Sequence, residues 1–188
     1  MNPLVYQFIG WSWAALGLYW LISSVFAKRT LERQSYGTRA FTLGLVAIVI
    51  LLLTGRLRVH LDQSILPRTM AFGIAGDCVV FIGLVLAIWS RTILGRNWSA
   101  TITFKEGHEL IETGPYRCLR HPIYTGCLLM LLGGVIAIGR IVDFVALVIC
   151  FVALWQKLRL EEALMARHFP TTYPQYKTRT WALIPFVL

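Results

Sequence analysis

The chain has 188 residues, 57% of them hydrophobic and 14% charged, a formal net charge of +9 and a mean hydropathy of +0.65. These values lie outside the soluble globular range and mark an integral membrane protein. Nucleic acid is excluded as the reason for the basic balance, because the cations are split among loops and no recognised binding module accompanies them.

A membrane-crossing helix needs roughly 20 mainly apolar residues. Five apolar runs are expected to be such helices, at about 4–26, 40–55, 69–90, 123–139 and 141–156, of which the second, fourth and fifth are short. The first lacks the basic leader of a cleaved signal and is followed by Lys28 and Arg29, so it is read as a retained span. Its Trp11, Trp13, Tyr19 and Trp20 are read as interface markers and packing groups. With the amino terminus outside, alternate loops divide the 18 Lys and Arg residues unequally. Fourteen, from Lys28 to Arg179, fall in the inner set, and only Arg56, Arg58, Arg68 and Arg140 fall outside. Lysine and arginine accumulate in cytoplasmic loops, so the charge is read as topology and as attraction to anionic lipid.

The expected fold is therefore an all-α integral membrane protein with about five transmembrane helices, a cytoplasmic catalytic loop and a C-terminal helical tail. It forms one domain over 1–188, with three spans in 1–90 and a catalytic half in 91–188. Asp77, in the third run, is expected to be neutral and hydrogen-bonded, since an ionised group there is costly. Four cysteines, at 78, 118, 127 and 150, show no metal-ligand or disulfide spacing, and the three in apolar runs are read as small packing residues.

Two polar segments are long enough for chemistry, 91–122 and 157–185. In the first, "SATITF" alternates like a short strand, "KEGHEL" turns, and "ETGPY" makes a second turn. Pro122 suits the first position of the next helix, which places His121 where backbone N–H groups are left unpaired and the positive end of the helix dipole favours an anion. Arg117, Arg120 and His121 add donors of the same sense. In the second segment, 157–168 is expected to continue the fifth helix. There a spacing of four puts Lys157 and Glu161 on one face, and Glu162 lies three residues after Arg159, within reach of an ion pair.

The string "GPYRCLRHPIYTG", residues 114–126, resembles the G-x-Y-x-x-x-R-H-P-x-Y-x-G signature of the isoprenylcysteine carboxyl methyltransferase family, which grades into phospholipid N-methyltransferases. "GRNWSA", "GHELIETGPY" and the tail "EEALMARHFPTTYPQYKTRTWALIP" extend the likeness over roughly 95–185, with Pro170 standing where the family tail has Gly. The resemblance implies S-adenosylmethionine as methyl donor, held by His108, Glu109, Leu110, Ile111, Tyr116, His121, Pro122, Ile123, Tyr124 and Glu161; the cysteine and histidine spacing leads us to expect no metal. The resemblance also implies a lipophilic acceptor, most directly the carboxylate of an isoprenylcysteine, with a phospholipid amine or a small thiol as alternatives. Lys157 or Arg159 is placed to bind such a carboxylate at the catalytic centre. No G-x-G-x-x-G loop offers a soluble-type donor site. A nicotinamide-dependent sterol-type reductase, which expects a longer chain, and a non-enzymatic lipid-binding protein are the competing classes.

Overall fold

A computed structural model describes residues 3–25, 30–33, 36–53, 63–95, 103–105 and 110–187. In chain order it contains α1 (Pro3–Ser24), β1 (Thr30–Arg33), α2 (Tyr36–Leu53), α3 (Met70–Leu94), β2 (Thr103–Lys105), α4 (Pro122–Ile138), α5 (Ile141–His168) and α6 (Thr172–Thr178). Over their described residues all five apolar runs are helical, the form in which a long apolar segment satisfies its own backbone where no water can. α3 and α5 are long and apolar enough to cross a membrane, while α4 and the apolar stretch Leu43–Leu52 of α2 are shorter. α5 runs without a break to His168, so its last three turns carry the polar Lys157–His168 segment beyond the apolar stretch.

Side chains are sorted in the sense opposite to that of a soluble protein. Leu18 and Leu21 of α1, Ile74, Phe81 and Ile82 of α3, and Phe144 and Val148 of α5 point outward, whereas the α3–α4 seam is made of small residues. With lipid as apolar as leucine, helices associate through close backbone packing instead. A Cβ built on Gly76 would stand 2.5 Å from the Gly133 carbonyl oxygen, and one on Gly83 would stand 2.6 Å from that of Gly126. The seven-residue spacing within each helix brings both contacts onto one antiparallel seam. Leu16, Val80, Ala87, Ile123, Cys127 and Met130 fill the core beside it.

Cys127 is buried as expected of a packing residue, but Cys78 is exposed, facing away from this seam. Asp77 also differs from expectation. Its Oδ1 is buried and accepts no hydrogen bond among the described residues.

α1 is tied to the far end of α3 by polar contacts. Buried Arg91 donates through Nη2 to the Ser23 carbonyl and through Nη1 to that of Gly95, each at 2.8 Å. The Tyr19 and Thr92 hydroxyls hydrogen-bond at 2.7 Å. The α4–α5 connection is a tight reversal at Gly139, whose φ of 72° is left-handed and suits a residue without Cβ. Arg140 then grips Asp143 with two hydrogen bonds, of 2.9 and 2.7 Å, in the first turn of α5.

Backbone pairing joins the connections in two groups. The antiparallel β1–β2 pair links the α1–α2 connection to the α3–α4 connection, with Thr30 opposite Lys105 and Arg33 opposite Thr103. The strand expected in "SATITF" is thus met at Thr103–Lys105, while 99–102 lie outside the described residues. At the opposite end, Ile65 N–H donates to the Gly139 carbonyl at 2.7 Å and Ile141 N–H to the Gln63 carbonyl at 3.0 Å.

Candidate active site at the mouth of α4

Gly114, at φ 58°, and Pro115 open a 3-10 turn over Gly114–Arg117 that buries Tyr116 against the end of α3. That left-handed φ suits a residue without Cβ, and a Cβ there would also displace the end of the Ile93 side chain. The chain then runs beside the C-terminal tail. Trp181 N–H donates to the Cys118 carbonyl at 2.9 Å, Arg120 N–H to that of Trp181 at 2.8 Å, and His121 N–H to that of Ala182 at 3.1 Å. The Thr125 hydroxyl donates to the Leu183 carbonyl at 2.7 Å. From below, the Tyr176 hydroxyl of α6 donates to the Tyr116 carbonyl at 2.7 Å. Burial, with the nearby Glu112 carboxylate adding to it, pushes the Tyr176 hydroxyl well above its ordinary range and keeps it a proton donor.

This corrects the sequence picture of the helix mouth. The N–H groups expected to be unpaired at Arg120 and His121 are satisfied by tail carbonyls, and those of Tyr124 and Thr125 turn back onto the His121 carbonyl. The tail segment "WALIP" therefore has a structural reason: it supplies the acceptors that the start of α4 lacks. Pro170 is accommodated because α5 has already ended at Phe169, outside helical geometry.

The side chains at the mouth face two adjacent carboxylates of α5. The Tyr124 hydroxyl lies 2.7 Å from Glu161 Oε1 and 2.8 Å from Oε2 and donates to this carboxylate. The His121 ring stacks parallel to that of Tyr124, with centroids 5.3 Å apart, and its Nδ1 is 3.6 Å from Glu161 Oε2. Lys157 Nζ stands 4.0 Å from Glu161 Oε1, one helical turn away as the spacing predicts, and 5.2 Å from the centre of the Tyr124 ring. His121, Tyr124, Lys157 and Glu161 thus form one cluster. Tyr116 is buried nearby, and burial, reinforced by Tyr176 and Glu161, raises its hydroxyl well above the ordinary range.

Glu162 is held differently. Arg120 Nε donates to its Oε1 at 2.6 Å and Lys177 Nζ to its Oε2 at 2.7 Å, while His121 Nε2, buried and without a hydrogen-bond partner, is 3.6 Å from Oε1. The Arg120 guanidinium also donates to the carbonyls of Lys177 and Thr180. Burial alone would raise the Glu162 carboxyl, but the His121 ring beside it and the hydrogen bonds from Lys177 and Arg120 outweigh it and hold the group well below the usual carboxylate range. Arg159, the partner expected from spacing, is not the residue Glu162 meets. It lines a cleft of about 450 Å3 between α5 and α6, whose wall Glu162, Arg120 and Lys177 also form.

The remaining expected donor residues divide. Pro122 and Ile123 are buried, Ile123 within the α3–α4 core, so they shape the mouth from behind. Leu110 and Ile111 are half-buried on the approach, where Glu112 pairs with Arg179. His108 and Glu109 lie outside the described residues. The sequence offers Arg120 as an anion-binding donor and assigns no role to Lys177 or Tyr176. Tyr176 stands within the tail that resembles the family, at a tyrosine position of its motif, which is the signal for it; Lys177 is marked only by its charge.

The chain is similar to known proteins in sequence and in fold. A family model described as phospholipid methyltransferase matches residues 72–172, from α3 to the start of α6. A probable protein-S-isoprenylcysteine O-methyltransferase of Oryza sativa subsp. indica is 26% identical over 138 residues, covering 68% of this chain and 71% of that one. The nickel-cobalt-cadmium resistance protein NccN of Alcaligenes xylosoxydans xylosoxydans is 32% identical over 107 residues, covering 54% of this chain and 47% of that one. Among solved structures, the eukaryotic intramembrane Ras methyltransferase, isoprenylcysteine carboxyl methyltransferase, superposes with a TM-score of 0.57 at 20% identity. That likeness in fold covers 79% of this chain, which spans about half of the larger protein, 53%. The matched segment contains the α4 mouth and both glutamates of α5, and by that match the chain belongs to the phospholipid methyltransferase family.

Proposed function

We propose that this protein is a membrane methyltransferase that uses S-adenosylmethionine to methylate the carboxylate of an isoprenylcysteine-like lipophilic acceptor. The observation that carries the reading is the convergence of Tyr124, His121, Lys157 and Glu161 at one helix mouth inside the family-matched segment. The cluster fits the donor's chemistry. A carboxylate accepting one tyrosine hydroxyl keeps lone pairs for a ribose hydroxyl or an ammonium group, and a buried, unpartnered imidazole nitrogen is a polar group awaiting a ligand. Tyr116, His121, Tyr124 and Glu161 would hold the donor, with Leu110 and Ile111 on its approach and Pro122 and Ile123 setting the wall; His108 and Glu109 are further donor ligands by the family resemblance.

S-adenosylmethionine supplies an electrophilic methyl group whose transfer leaves a neutral thioether. The residues of this chain need no strong base, because a carboxylate nucleophile is already ionised at neutral pH. Their work is to hold the partners in line and keep water away. Of the two cations suggested by the sequence, Lys157 sits at the cluster and is the one placed to bind the acceptor carboxylate, whereas Arg159 faces the α5–α6 cleft. The family description, phospholipid methyltransferase, keeps an amine headgroup as the second acceptor. The purified protein with methyl-labelled donor is expected to label a prenylcysteine in preference to phosphatidylethanolamine or a small thiol. Preferential labelling of either alternative would move the acceptor assignment.

Calorimetric titration with S-adenosylhomocysteine tests the donor site itself. Glu161→Gln is expected to raise the dissociation constant at least tenfold, about 1.4 kcal/mol. His121→Ala should weaken binding roughly ten- to a hundredfold, the range for one charged hydrogen bond. If Glu161 served only as a surface partner of Lys157, its loss would leave affinity nearly unchanged, and normal binding by His121→Ala would remove the helix mouth from the site.

The same reading takes α1 to α5 as five spans with the site facing the cytoplasm. It is supported by the basic residues and by the backbone pairs that join the two expected inner connections at one end and the two expected outer ones at the other. Cysteines introduced near Arg58 or Arg140 are expected to react with an impermeant reagent added outside, and those near Lys105 or Lys177 to be protected. The reverse pattern would cut the site off from the cytosolic donor and defeat the proposed orientation.

A further inference from the structure

The cleft between the polar end of α5 and α6 is lined by none of the residues gathered around Tyr124 and Glu161, and has about 450 Å3 of space. Its wall has an apolar part, with Trp155, Leu158 and Ala182, and a charged part, with Arg120, Arg159 and Lys177 around the single carboxylate of Glu162. Both oxygens of that carboxylate are already taken, by Arg120 at 2.6 Å and Lys177 at 2.7 Å. The lining therefore carries two more cations than anions. Lys177 spends one of its three N–H donors on Glu162, and its side chain is 53% exposed. Arg159 is exposed and pairs with no carboxylate among the described residues.

Position along α5 narrows the occupant. A helix rises about 1.5 Å per residue, so Arg159 stands about 6 Å beyond Trp155. Tryptophan settles at the membrane interface, and a cation slightly further out lies at the level of lipid phosphates. A cleft that is apolar on the bilayer side and cationic at headgroup depth is complementary to an amphiphile with a negative head.

We propose that this cleft binds the headgroup of an anionic phospholipid from the adjoining leaflet, with its phosphate held by Arg159 and Lys177 and its glycerol end against Trp155 and Leu158. Soluble phosphate meets the same cations but gains nothing from the apolar wall. The inference requires α5 to lie in a bilayer and does not depend on the donor site. Occupancy would also steady the tail: Lys177 belongs to α6, and the carbonyls of Lys177 and Thr180 hold Arg120, next to the strip that supports His121.

The test uses the full chain in nanodiscs of phosphatidylcholine with and without phosphatidylglycerol, with retained lipid counted by native mass spectrometry. Phosphatidylglycerol is expected to be retained over phosphatidylcholine. The double substitution Arg159→Gln with Lys177→Gln should weaken retention about 25-fold, a factor of about five for each cation removed. Arg117→Gln with Arg167→Gln removes the same charge from exposed positions outside the cleft and should leave retention intact. Because Lys177→Gln also strips a partner from Glu162, Arg159→Gln alone provides the reading if the double variant unfolds, with about a fivefold loss expected. Equal losses in the cleft and control variants would reduce the effect to general charge attraction and overturn the site. Normal retention by Arg159→Gln would overturn it too, as would inorganic phosphate competing as well as the lipid binds.

Discussion

Gly133→Ala is expected to destabilise the protein by about 2 kcal/mol, while Gly134→Ala, one residue further along α4, leaves it unchanged or slightly more stable. Replacing glycine by alanine in a helix interior gains about 1 kcal/mol from propensity alone. At Gly134 the new methyl group meets nothing within 4 Å, so only that gain operates. At Gly133 it would stand 2.6 Å from the Gly76 carbonyl oxygen and 2.7 Å from the Val80 backbone nitrogen. Backbone atoms of a neighbouring helix cannot rotate aside as a side chain can, and overpacking of this kind costs typically 1–3 kcal/mol and sometimes more. Here it outweighs the propensity gain, and valine at the same position should prevent accumulation of folded protein. Thermal unfolding of the two alanine variants in detergent gives the comparison. Equal stability would mean that α3 and α4 do not meet along the glycine seam.

The second large effect is expected at Glu162. Removing one member of a buried ion pair costs about 3–5 kcal/mol, because the partner charge is left uncompensated. Arg120 keeps its bonds to the Lys177 and Thr180 carbonyls, and Lys177 is more than half exposed and contributes little, so Glu162→Ala should fall near the low end, about 3 kcal/mol. The pH dependence has a definite sign. Burial works against ionisation, but the nearby His121 ring and the bonds from Lys177 and Arg120 leave the folded-state carboxyl depressed. Its stabilisation is therefore fully present above the ordinary carboxylate range and is lost progressively as pH falls through that range toward the folded-state value. Glu162→Gln should flatten this acid limb, whereas Glu161→Gln should act on donor affinity. A variant that weakens donor binding at position 162 as strongly as at 161, with stability unchanged, would exchange the two roles.

The five helices were legible because hydrocarbon imposes one local rule on a long apolar run: it must bond its own backbone. The same locality made Lys157 and Glu161 readable as neighbours, since four residues along a helix is nearly one turn. The family likeness, through the string around His121 and the tail that begins at Glu161, brought out Tyr124 and Glu161 together although they lie 37 residues apart, which periodicity could not have done.

What the chain's local patterns left open depends on contacts between separately placed elements. Spacing offers Arg159 to Glu162, yet the carboxylate meets Arg120, 42 residues away, and Lys177, 15 residues away, because α6 and the start of α4 converge on that side of α5. A helix start predicts unpaired N–H groups, but only the path of the tail determines that Trp181 and Ala182 fill them. Glycines at 76, 83, 126 and 133 are visible in the sequence, and their meeting in pairs is set by the antiparallel register of α3 and α4. The sequence by itself thus determined which segments are helices and which residue types stand at the α4 mouth. Tertiary structure decided which charge each carboxylate meets and which backbone groups are closed, since helix formation is governed within a few residues while pairing energies depend on distance in space.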